Sequence, residues 1–337
     1  MLEKQKICYF ASRYHSVFRA AEDYSRILRA HCEVASLQDC ERVILHFLPR
    51  DLKQIYSTYP MLANKYVVAI CVWESNVLPA AFVKAISRVQ EVWTCSSYCQ
   101  AVFEQSHSKV VKVPHVVRRD MRYSEEDIQH VKRLISHRDD RVYYLNVSRL
   151  SDKRKNTPML ARVFQRLSHL MPDAILLVRD VDPLPPDRHA VHTDGNVIYI
   201  HGGWLTEGQV NALYDLAFAY VSPHHAEGWG FPLSDAMLFG KPVIATGYSG
   251  NLEFMNERNS FLLSYRELPI LPEDQYFLFD GTMKWAYPDE GDLEDRLLQL
   301  YRQGSSAAAV SAKSSSDTLR QFSANAVAER VLQALKG

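Results

Sequence analysis

The chain has 337 residues, of which 47% are apolar and 23% are charged, and its 39 Lys and Arg balance its 39 Asp and Glu. This length is too great for one ordinary hydrophobic core and predicts two domains of about 100 to 200 residues each. A neutral chain without basic runs interleaved with aromatic residues is a poor candidate for nucleic-acid binding, and no apolar run approaches the roughly 20 residues that span a bilayer.

Residues 1–118 alternate short apolar runs with amphipathic stretches, a pattern typical of helices packed on a parallel sheet. They carry 15 Lys and Arg against 10 Asp and Glu, a balance of +5. That excess fits either an anionic partner, such as a membrane surface or a phosphorylated acceptor, or ordinary scatter of surface charge. The predicted strands are KICYFA, RVILHF, YVVAICVW, EVWTC and KVVKV, and the predicted helices are VFRAAEDYSRILRAH, LPAAFVKAISRV and YCQAVFEQSH.

All six cysteines fall in the first hundred residues, mostly inside apolar strand-like runs and without the spacing of metal ligands. The N-terminal segment MLEKQKICYFASRYH lacks the long apolar core of a signal peptide. We therefore expect reduced, structural thiols and a cytoplasmic chain.

The segment VPHVVRRDMRYSEED, residues 113–127, interrupts the alternation with Pro114 and a run of charges, and is predicted to be a linker. The pattern then resumes in residues 119–316, with helices predicted near 156–170, 206–216 and 232–239. The tail from about residue 291 is predicted to be helical, ending in TLRQFSANAVAERVLQALKG. Within it, the segment SSAAAVSAKSSS, residues 305–316, is predicted to be a mobile loop or a frayed helix. The strands predicted in this half are RVYYLNVS, AILLV, NVIYI, LAFAYVS and PVIAT.

This organisation predicts an α/β protein with two doubly wound domains, whose ligand cleft would lie between the C-terminal edges of the two sheets. The segment HHAEGWGFPLSDAM, residues 224–237, follows a predicted strand and leads into a helix that Pro232 suits at its first turn. Glu227 and Asp235 would then lie near the N-terminus of that helix. Three interpretations remain open: an acid and base pair, a site for sugar hydroxyls beside amides that bind phosphate, or acidic residues that cap the helix.

A second motif is NVSRLSDKRKNTPMLARVF, residues 146–164, in which Arg149 and Lys155 follow a predicted strand. Two cations at the C-terminal end of a strand suit a diphosphate, although a solvated basic turn has the same composition. A third motif, GKPVIATGYSGNLEFMN, places Gly247 and Gly250 at tight turns before a short helix predicted to be capped by Asn251.

Three further features give weaker indications. The Asp180-Val181-Asp182 tripeptide has the form of a metal site for a nucleotide diphosphate, but such tripeptides are common by chance. His224 and His225 are adjacent, which disfavours joint metal binding and leaves a donor contact open for one of them. Ser249 has no His and Asp pattern that would make it a nucleophile.

Taken together, SPHHAEGWGFPLSDAM and the GKPVIATGYSGNLEFM segment resemble the retaining nucleotide-sugar glycosyltransferases of family 4, which have the GT-B fold. Members of that family carry a Glu, seven residues and a second Glu within a Pro-x-x-x-Glu-Gly-Phe-Gly block. The SRLSDKRKN turn, the VPHVV linker, and the VWESNVLP and VWTCSSYCQAVF segments extend the resemblance over most of the chain.

The resemblance implies a role for each matching residue. Arg149 and Lys155 would bind the donor diphosphate and Glu227 the hydroxyls of the transferred sugar, with none of them a covalent nucleophile. Asp235 would hold the donor ribose. The residues implied around the remainder of the donor are Gly230, Phe231 and Leu233 through backbone amides, and Trp204 and Leu205 beside the nucleotide base.

The chain also departs from the family pattern. Asp235 is one methylene shorter than the usual Glu, and the first loop, ASRYHSVFRAAED, lacks a glycine pair, which leaves Ser12, Arg13 or His15 as substitutes. Trp73 and Glu74 stand where many members have an active-site His. Together with His225, these residues are the candidates for the acceptor or sugar side.

The resemblance further implies no metal and no cofactor, closure of the domains about the linker, and a C-terminal helix, residues 317–337, that crosses back to the first domain. It implies a hexose donor and a glycan or lipid-linked acceptor in surface polysaccharide assembly. Peripheral contact with the inner face of the membrane through VFRAAEDYSRILRAH is one option, and an ordinary core helix is the other. The competing hypotheses are a metal-dependent transferase that uses Asp180 and Asp182, and a catalytically silent GT-B subunit.

Overall fold

The computed structural model describes residues 5–12, 15–183, 190–202, 204–304 and 317–337, with the backbone alone at residues 15 and 16. The segment 305–316, predicted to be a mobile loop or a frayed helix, therefore lies outside the described residues. Contacts divide the chain into two compact units, residues 1–117 with 320–337, and residues 118–319. The predicted boundaries, after residues 118 and 316, lie one and three residues from these divisions.

Unit 1 contains a six-stranded parallel sheet in the order β2-β1-β3-β4-β5-β6. Its strands are β1 (Lys6–Ala11), β2 (Glu33–Val34), β3 (Arg42–His46), β4 (Tyr66–Ile70), β5 (Glu91–Thr94) and β6 (Val110–Lys112). Its helices in the first part of the chain are α1 (His15–His31), α2 (Pro49–Thr58), α3 (Ala80–Ile86) and α4 (Ser97–Glu104). The central strands β3, β4 and β5 are buried and rich in Val, Ile and aromatic residues, as expected of a parallel sheet covered on both faces.

The C-terminal helix belongs to unit 1. It spans Ala324–Lys336 and is called α10 here. Val327, Val331 and Leu335, at helical spacing, enter the same core as Ile7 and Tyr24. The guanidinium of Arg42 donates a hydrogen bond to the carbonyl of Leu335 at 3.0 Å.

Unit 2 contains a seven-stranded sheet in the order β13-β12-β11-β7-β8-β10-β9, parallel except for β9 at one edge. Its strands are β7 (Val142–Ser148), β8 (Ala174–Asp180), β9 (Val191–Asp194), β10 (Val197–Ile200), β11 (Ala219–Ser222), β12 (Val243–Thr246) and β13 (Phe261–Leu263). Its helices are α5 (Glu125–Leu134), α6 (Thr157–Arg166), α7 (Glu207–Leu216), α8 (Phe231–Leu238) and α9 (Glu290–Gln303), and a hairpin of β14 (Tyr265–Pro269) and β15 (Lys284–Pro288) completes the unit.

The strands predicted from the apolar runs are all present, with ends that differ by a few residues. Two helices were missed. α2 begins at Pro49 in a stretch assigned to no element, and α5 begins inside the predicted linker, where Ser124 and Asp127 form a capping box. The linker is therefore shorter than expected, because the charged run is the first turn of a helix.

All six cysteines are buried free thiols. In the described ranges no helix is both long enough and apolar enough to cross a membrane.

Candidate active site

The candidate site lies at the C-terminal edge of the sheet of unit 2, where the strand order reverses. β7 is flanked by β8, the next strand in the chain, and by β11, which comes later. In open α/β sheets this switch point is where ligands bind. The loops that follow β7, β11 and β12 supply the polar side chains there.

The loop after β7 contains one turn of 3-10 helix, Lys153–Lys155, which sends its three cations in different directions. Asp152 caps the turn by accepting from the N–H of Arg154, and its carboxylate pairs with the Arg154 guanidinium at 2.8 Å. Asn156 then adopts a left-handed conformation with φ of 52°, which lets α6 begin immediately. Lys153 contacts the carbonyl of Glu273, whereas Arg154 and Lys155 are directed toward Glu227.

Glu227 is held between these two cations and is only 7% exposed. Its Oε1 lies 2.5 Å from Lys155 Nζ and its Oε2 lies 3.2 Å from Arg154 Nη1. Its backbone is fixed as well, because its N–H donates to Ser249 Oγ and its carbonyl accepts from the N–H of Gly250, both at 2.8 Å. The carboxylate therefore has a single, well-supported position.

The ionisation of Glu227 follows from this geometry. Burial alone would raise the pKa of the carboxyl, but the positive charges of Lys155 and Arg154 outweigh it and lower the pKa to about 2. Glu227 is therefore an anion at neutral pH. An anionic carboxylate accepts hydrogen bonds from hydroxyl groups, and the adjacent Lys155 can donate to a phosphate oxygen.

Arg149 lies in the same loop but does not join this cluster. Its Nη1 is 3.4 Å from Asp182 Oδ1, and its side chain is 36% exposed. The two cations that were predicted to act together therefore pair with different carboxylates: Lys155 with Glu227, and Arg149 with Asp182.

Asp235 lies in the second turn of α8 and is buried. Its Oδ2 is 3.0 Å from Nη1 of Arg119, whose Nε donates to Asn211 Oδ1 at 2.5 Å. A ribose bound by Asp235 would have to share the carboxylate with Arg119. The position of Asp235 near Glu227 in sequence therefore does not translate into a shared cluster.

The start of α8 supplies the predicted backbone donors only in part. Gly230 is the N-cap residue with φ of 95°, a conformation that favours glycine. The N–H of Leu233 already donates to the carbonyl of Gly230 at 3.0 Å, so a phosphate contact from Leu233 would have to share or replace that bond. Phe231 is the first residue of α8, and Pro232, which has no N–H, follows it.

Trp204 and Leu205 follow β10 at the same edge of the sheet. Trp204 is 41% exposed, its Nε1 donates to the carbonyl of His201 at 2.6 Å and its ring meets that of His130 edge-on, while Leu205 is buried. An exposed indole held by one hydrogen bond is suited to stacking against a planar ring.

The two histidines after β11 are both buried. His224 lies 3.1 Å from Asn251 Oδ1, and burial lowers its pKa to about 4. The ring of His225 stacks on Trp285 and its Nδ1 lies 2.7 Å from the carbonyl of Ala286. Asn251 was expected to cap the short helix that follows, but Ser249 occupies the cap position and Asn251 instead contacts His224.

The candidates for the acceptor or sugar side other than His225 belong to unit 1. Trp73 and Glu74 follow β4, and the Trp73 indole is buried, donating to the carbonyl of Val77 at 2.8 Å. Glu74 is partly buried. Arg13 and the side chain of His15 lie outside the described residues.

Three residues of the site were missed from the sequence: Arg119, which pairs with Asp235, together with Arg154 and Ser249. Arg154 is buried against Glu227 and the carbonyl of Ala226, yet in DKRKN it is one of three consecutive cations that look alike. Ser249, with φ of 76°, fixes the backbone of Glu227, and only the glycines on either side hinted at a special turn. Asp152 before the basic run was the available signal, since an N-cap aspartate predicts a helical turn that separates the three side chains.

Comparison with known proteins adds a family match to this geometry. Residues 127–264 match the family model of glycosyl transferases group 1. The matched range includes Arg149, Lys155, Glu227 and Asp235. No curated protein sequence gives a significant match to the chain.

Solved structures show the fold over the whole chain. HepE from Anabaena, crystallised with UDP and glucose, has a TM-score of 0.69 at 13% identity over 99% of this chain and 100% of that one. A glycosyltransferase from Rickettsia africae has a TM-score of 0.68 at 13% identity over 100% and 98% of the two chains. Sucrose-phosphate synthase from Thermosynechococcus elongatus has a TM-score of 0.63 at 13% identity over 97% and 80%. The predicted α/β GT-B fold is confirmed.

Proposed function

We propose that this chain is a retaining glycosyltransferase of the family 4 type, which transfers a hexose from a nucleoside diphosphate sugar to a glycan or lipid-linked acceptor in surface polysaccharide assembly. One observation carries the proposal: an ionised Glu227 fixed by Lys155 and Arg154 at the switch point of the sheet. The group 1 family match spans these residues, and the complexes of HepE with UDP-glucose favour a uridine nucleotide as donor.

In the proposed reaction, the bond between the anomeric carbon and the diphosphate oxygen breaks, and its electron pair leaves with the diphosphate. The acceptor hydroxyl oxygen bonds to the anomeric carbon on the same face, and its proton passes to the departing phosphate oxygen. Lys155 and Arg149 stabilise the growing negative charge, a contribution that fixed cations make best in a site closed to water. Glu227 orients the sugar by accepting hydrogen bonds from its hydroxyl groups.

We propose that this stabilisation needs no metal and no cofactor, because the cations of the loop after β7 supply the positive charge. We also place the reaction in the cytoplasm, where the six free thiols would remain reduced.

Exposed Phe18, Arg26 and Arg29 on α1 favour peripheral contact with an anionic membrane. Co-sedimentation with vesicles containing phosphatidylglycerol, and none with neutral vesicles, is the expected result; equal sedimentation with both would contradict it.

The test of the transferase is nucleotide binding followed by the stereochemistry of turnover. UDP, GDP, ADP and UDP-glucose are added with and without EDTA to the wild type, Lys155→Ala and Lys153→Ala. Lys153 is the matched control, since it has the same charge in the same turn but contacts the carbonyl of Glu273. We expect one diphosphate to raise the melting temperature of the wild type and of Lys153→Ala in EDTA, but not that of Lys155→Ala.

Retention is then measured by proton NMR on the sugar that the enzyme releases slowly to water from the donor. An α-linked donor should give the α anomer first. Release of the β anomer, or binding and turnover that appear only with a divalent metal, would contradict the proposal.

A second candidate function, a catalytically silent GT-B subunit, is favoured by the ion pair of Asp235 with Arg119, because it occupies the carboxylate implied to hold the ribose. This candidate predicts nucleotide binding without any release or transfer of sugar. Turnover that depends on Glu227 would exclude it.

A further inference from the structure

Two carboxylates at the end of β8 lie directly beside the turn that carries Arg149. β7 and β8 are parallel neighbours in a register that pairs Ser148 with Asp180, so both strands end at the same level. The N–H of Val181 continues the pairing by donating to the carbonyl of Ser148 at 2.9 Å. The Asp180-Val181-Asp182 tripeptide therefore faces the turn of residues 149–151.

Asp180 is buried and fixed on both of its oxygens. Oδ1 accepts from the N–H groups of Leu150 at 3.1 Å and Asp182 at 3.0 Å. Oδ2 lies 3.1 Å from Nδ1 of the buried His201, whose Nε2 lies 2.8 Å from Nδ1 of His192. These hydrogen bonds fix the orientation of the Asp180 carboxylate and, through it, the backbone N–H groups that it accepts from.

Asp182 contacts the residues on either side of Leu150 in the same turn. Its Oδ2 accepts from the N–H of Ser151 at 2.9 Å, and its Oδ1 lies 3.4 Å from Arg149 Nη1. The three consecutive residues Arg149, Leu150 and Ser151 are thus each contacted by one of the two carboxylates.

We propose that Asp180 and Asp182 are positioning residues for Arg149, which hold its turn so that the guanidinium is presented to the diphosphate of the donor. This inference rests on the proposed function. Fixing a cation before the ligand arrives removes the cost of ordering it during binding. The carboxylates themselves do not touch the donor.

The contact between Asp182 and Arg149 suits exchange for a phosphate. At 3.4 Å it is longer than a charge-assisted hydrogen bond, and Arg149 is 36% exposed, so an anion can reach the guanidinium. The hydrogen bond from Ser151 to Asp182 stays in place while Arg149 changes partner. The arrangement also gives the tripeptide a role other than metal binding, and no group of three metal-ligating side chains occurs in the parts of the chain that the structure describes.

The first test compares Asp182→Ala with Asp139→Ala, whose wild-type carboxylate is 99% exposed in the same unit. Dissociation constants for UDP and UMP are measured by calorimetry, with GDP and GMP or ADP and AMP substituted if one of those diphosphates binds instead. We expect Asp182→Ala to weaken diphosphate binding about tenfold and monophosphate binding less than twofold, because only the second phosphate needs the positioned cation. Asp139→Ala should change neither.

The same substitution made in an Arg149→Ala background separates positioning from general damage. If Asp182 acts through Arg149, Asp182→Ala should change the dissociation constant for the diphosphate less than twofold once Arg149 is absent. Equal losses in the two backgrounds, equal losses for monophosphate and diphosphate, or no loss in the wild-type background would each overturn the proposal.

A second readout does not depend on nucleotide. The Nε–Hε resonance of Arg149, assigned with Arg149→Ala in protein labelled at arginine, should lie apart from those of mobile arginines in the wild type and merge with them in Asp182→Ala. An unchanged resonance would overturn the positioning role. If the wild type binds no nucleotide at all, the proposed function fails and this resonance alone decides whether Asp182 orders Arg149.

Discussion

Glu227 shows how a buried charge is kept at a ligand site. Removing a carboxylate from water is costly, and the attraction of one cation alone rarely compensates for it. Here Lys155 and Arg154 both contact the carboxylate, and Asp152 in turn neutralises Arg154. The two carboxylates and two cations of this cluster sum to zero net charge, and Lys155 remains partly accessible.

Replacing Glu227 with Gln should reduce turnover of the donor by about 100-fold or more, a loss near 3 kcal/mol in transition-state stabilisation. The amide keeps the size of the side chain but cannot accept from both cations. Because the two cations lose their counter-charge, we also expect the free energy of unfolding to fall by about 2 kcal/mol. Turnover is measured at a temperature where urea unfolding shows the variant to be fully folded. The exposed Glu257→Gln is the control, and full activity in Glu227→Gln would contradict the assigned role.

Gly250 is required by a close approach of two backbones. A Cβ at this position would lie 1.9 Å from the carbonyl oxygen of Gly228, and a backbone atom cannot move aside as a flexible side chain can. Gly250→Ala should therefore displace the Glu227 loop, lowering the free energy of unfolding by more than about 2 kcal/mol and abolishing nucleotide binding. Gly291→Ala is the control, because the atom nearest to its Cβ would be a side-chain oxygen of Asp289 at 3.1 Å and not a backbone atom. Chemical denaturation and calorimetry measure both effects, and a stable, nucleotide-binding Gly250→Ala would show that the loop tolerates rearrangement.

The residues of the site differ in how far sequence could predict them. Glu227 and Lys155 were predicted because a strand end, a glycine-rich loop and a helix start are local patterns. Arg154 and Arg119 were not, because their roles depend on which carboxylate lies opposite after folding, and Arg119 is 116 residues away from Asp235. The direction of a side chain in a one-turn helix is likewise a property of three-dimensional packing.

At the scale of single elements, α10 shows that sequence predicts a helix but not the surface on which it packs. Its apolar residues recur at helical spacing, which predicts an amphipathic helix. The identity of the surface that receives them does not follow from that spacing. The crossing to unit 1 was expected from the family resemblance alone.

Introducing a charge at Val331 should unfold unit 1 selectively. Val331 is fully buried in the core that α10 shares with β1 and α1. Val331→Asp places an unpaired carboxylate there, so we expect a loss of more than about 3 kcal/mol and a separate, earlier calorimetric transition for unit 1. Asn325→Asp, at an exposed position of the same helix, should leave the melting curve unchanged. A single transition at the wild-type temperature would show that α10 contributes little.

For the whole molecule, alternation of apolar runs and amphipathic stretches was sufficient to predict two parallel α/β sheets. The strands that it did not predict are β2, β9, β13 and the hairpin of β14 and β15. These strands lie at sheet edges or outside the main sheets, are two to five residues long, and several are exposed. Runs this short give little apolar or alternating signal. The side chains of β2, β9 and β14 are mostly exposed, whereas β13 and β15 bury part of theirs.

The pH dependence of folding should reflect histidines that are buried in both units. Burial lowers the pKa of His46 and His115 in unit 1 to about 3, and that of His224 in unit 2 to about 4. These side chains are neutral in the folded chain, whereas the unfolded chain binds their protons below about pH 6.5. The stability they contribute is thus complete above pH 6.5 and falls as the pH drops toward 4, by about 1.4 kcal/mol per pH unit for each histidine.

The measurement is urea unfolding of the wild type, His46→Gln and His31→Gln at intervals between pH 7.5 and 5. His46 lies 2.9 Å from the hydroxyl of Tyr9, a contact that a glutamine oxygen can reproduce without titrating. His46→Gln should make the slope of unit 1 stability against pH shallower by about 1.4 kcal/mol per unit, because one proton fewer is taken up on unfolding. His31 is exposed at the end of α1, so His31→Gln should keep the wild-type slope. Equal slopes in all three proteins would mean that His46 is protonated in the folded chain and that the core around Tyr9 admits water.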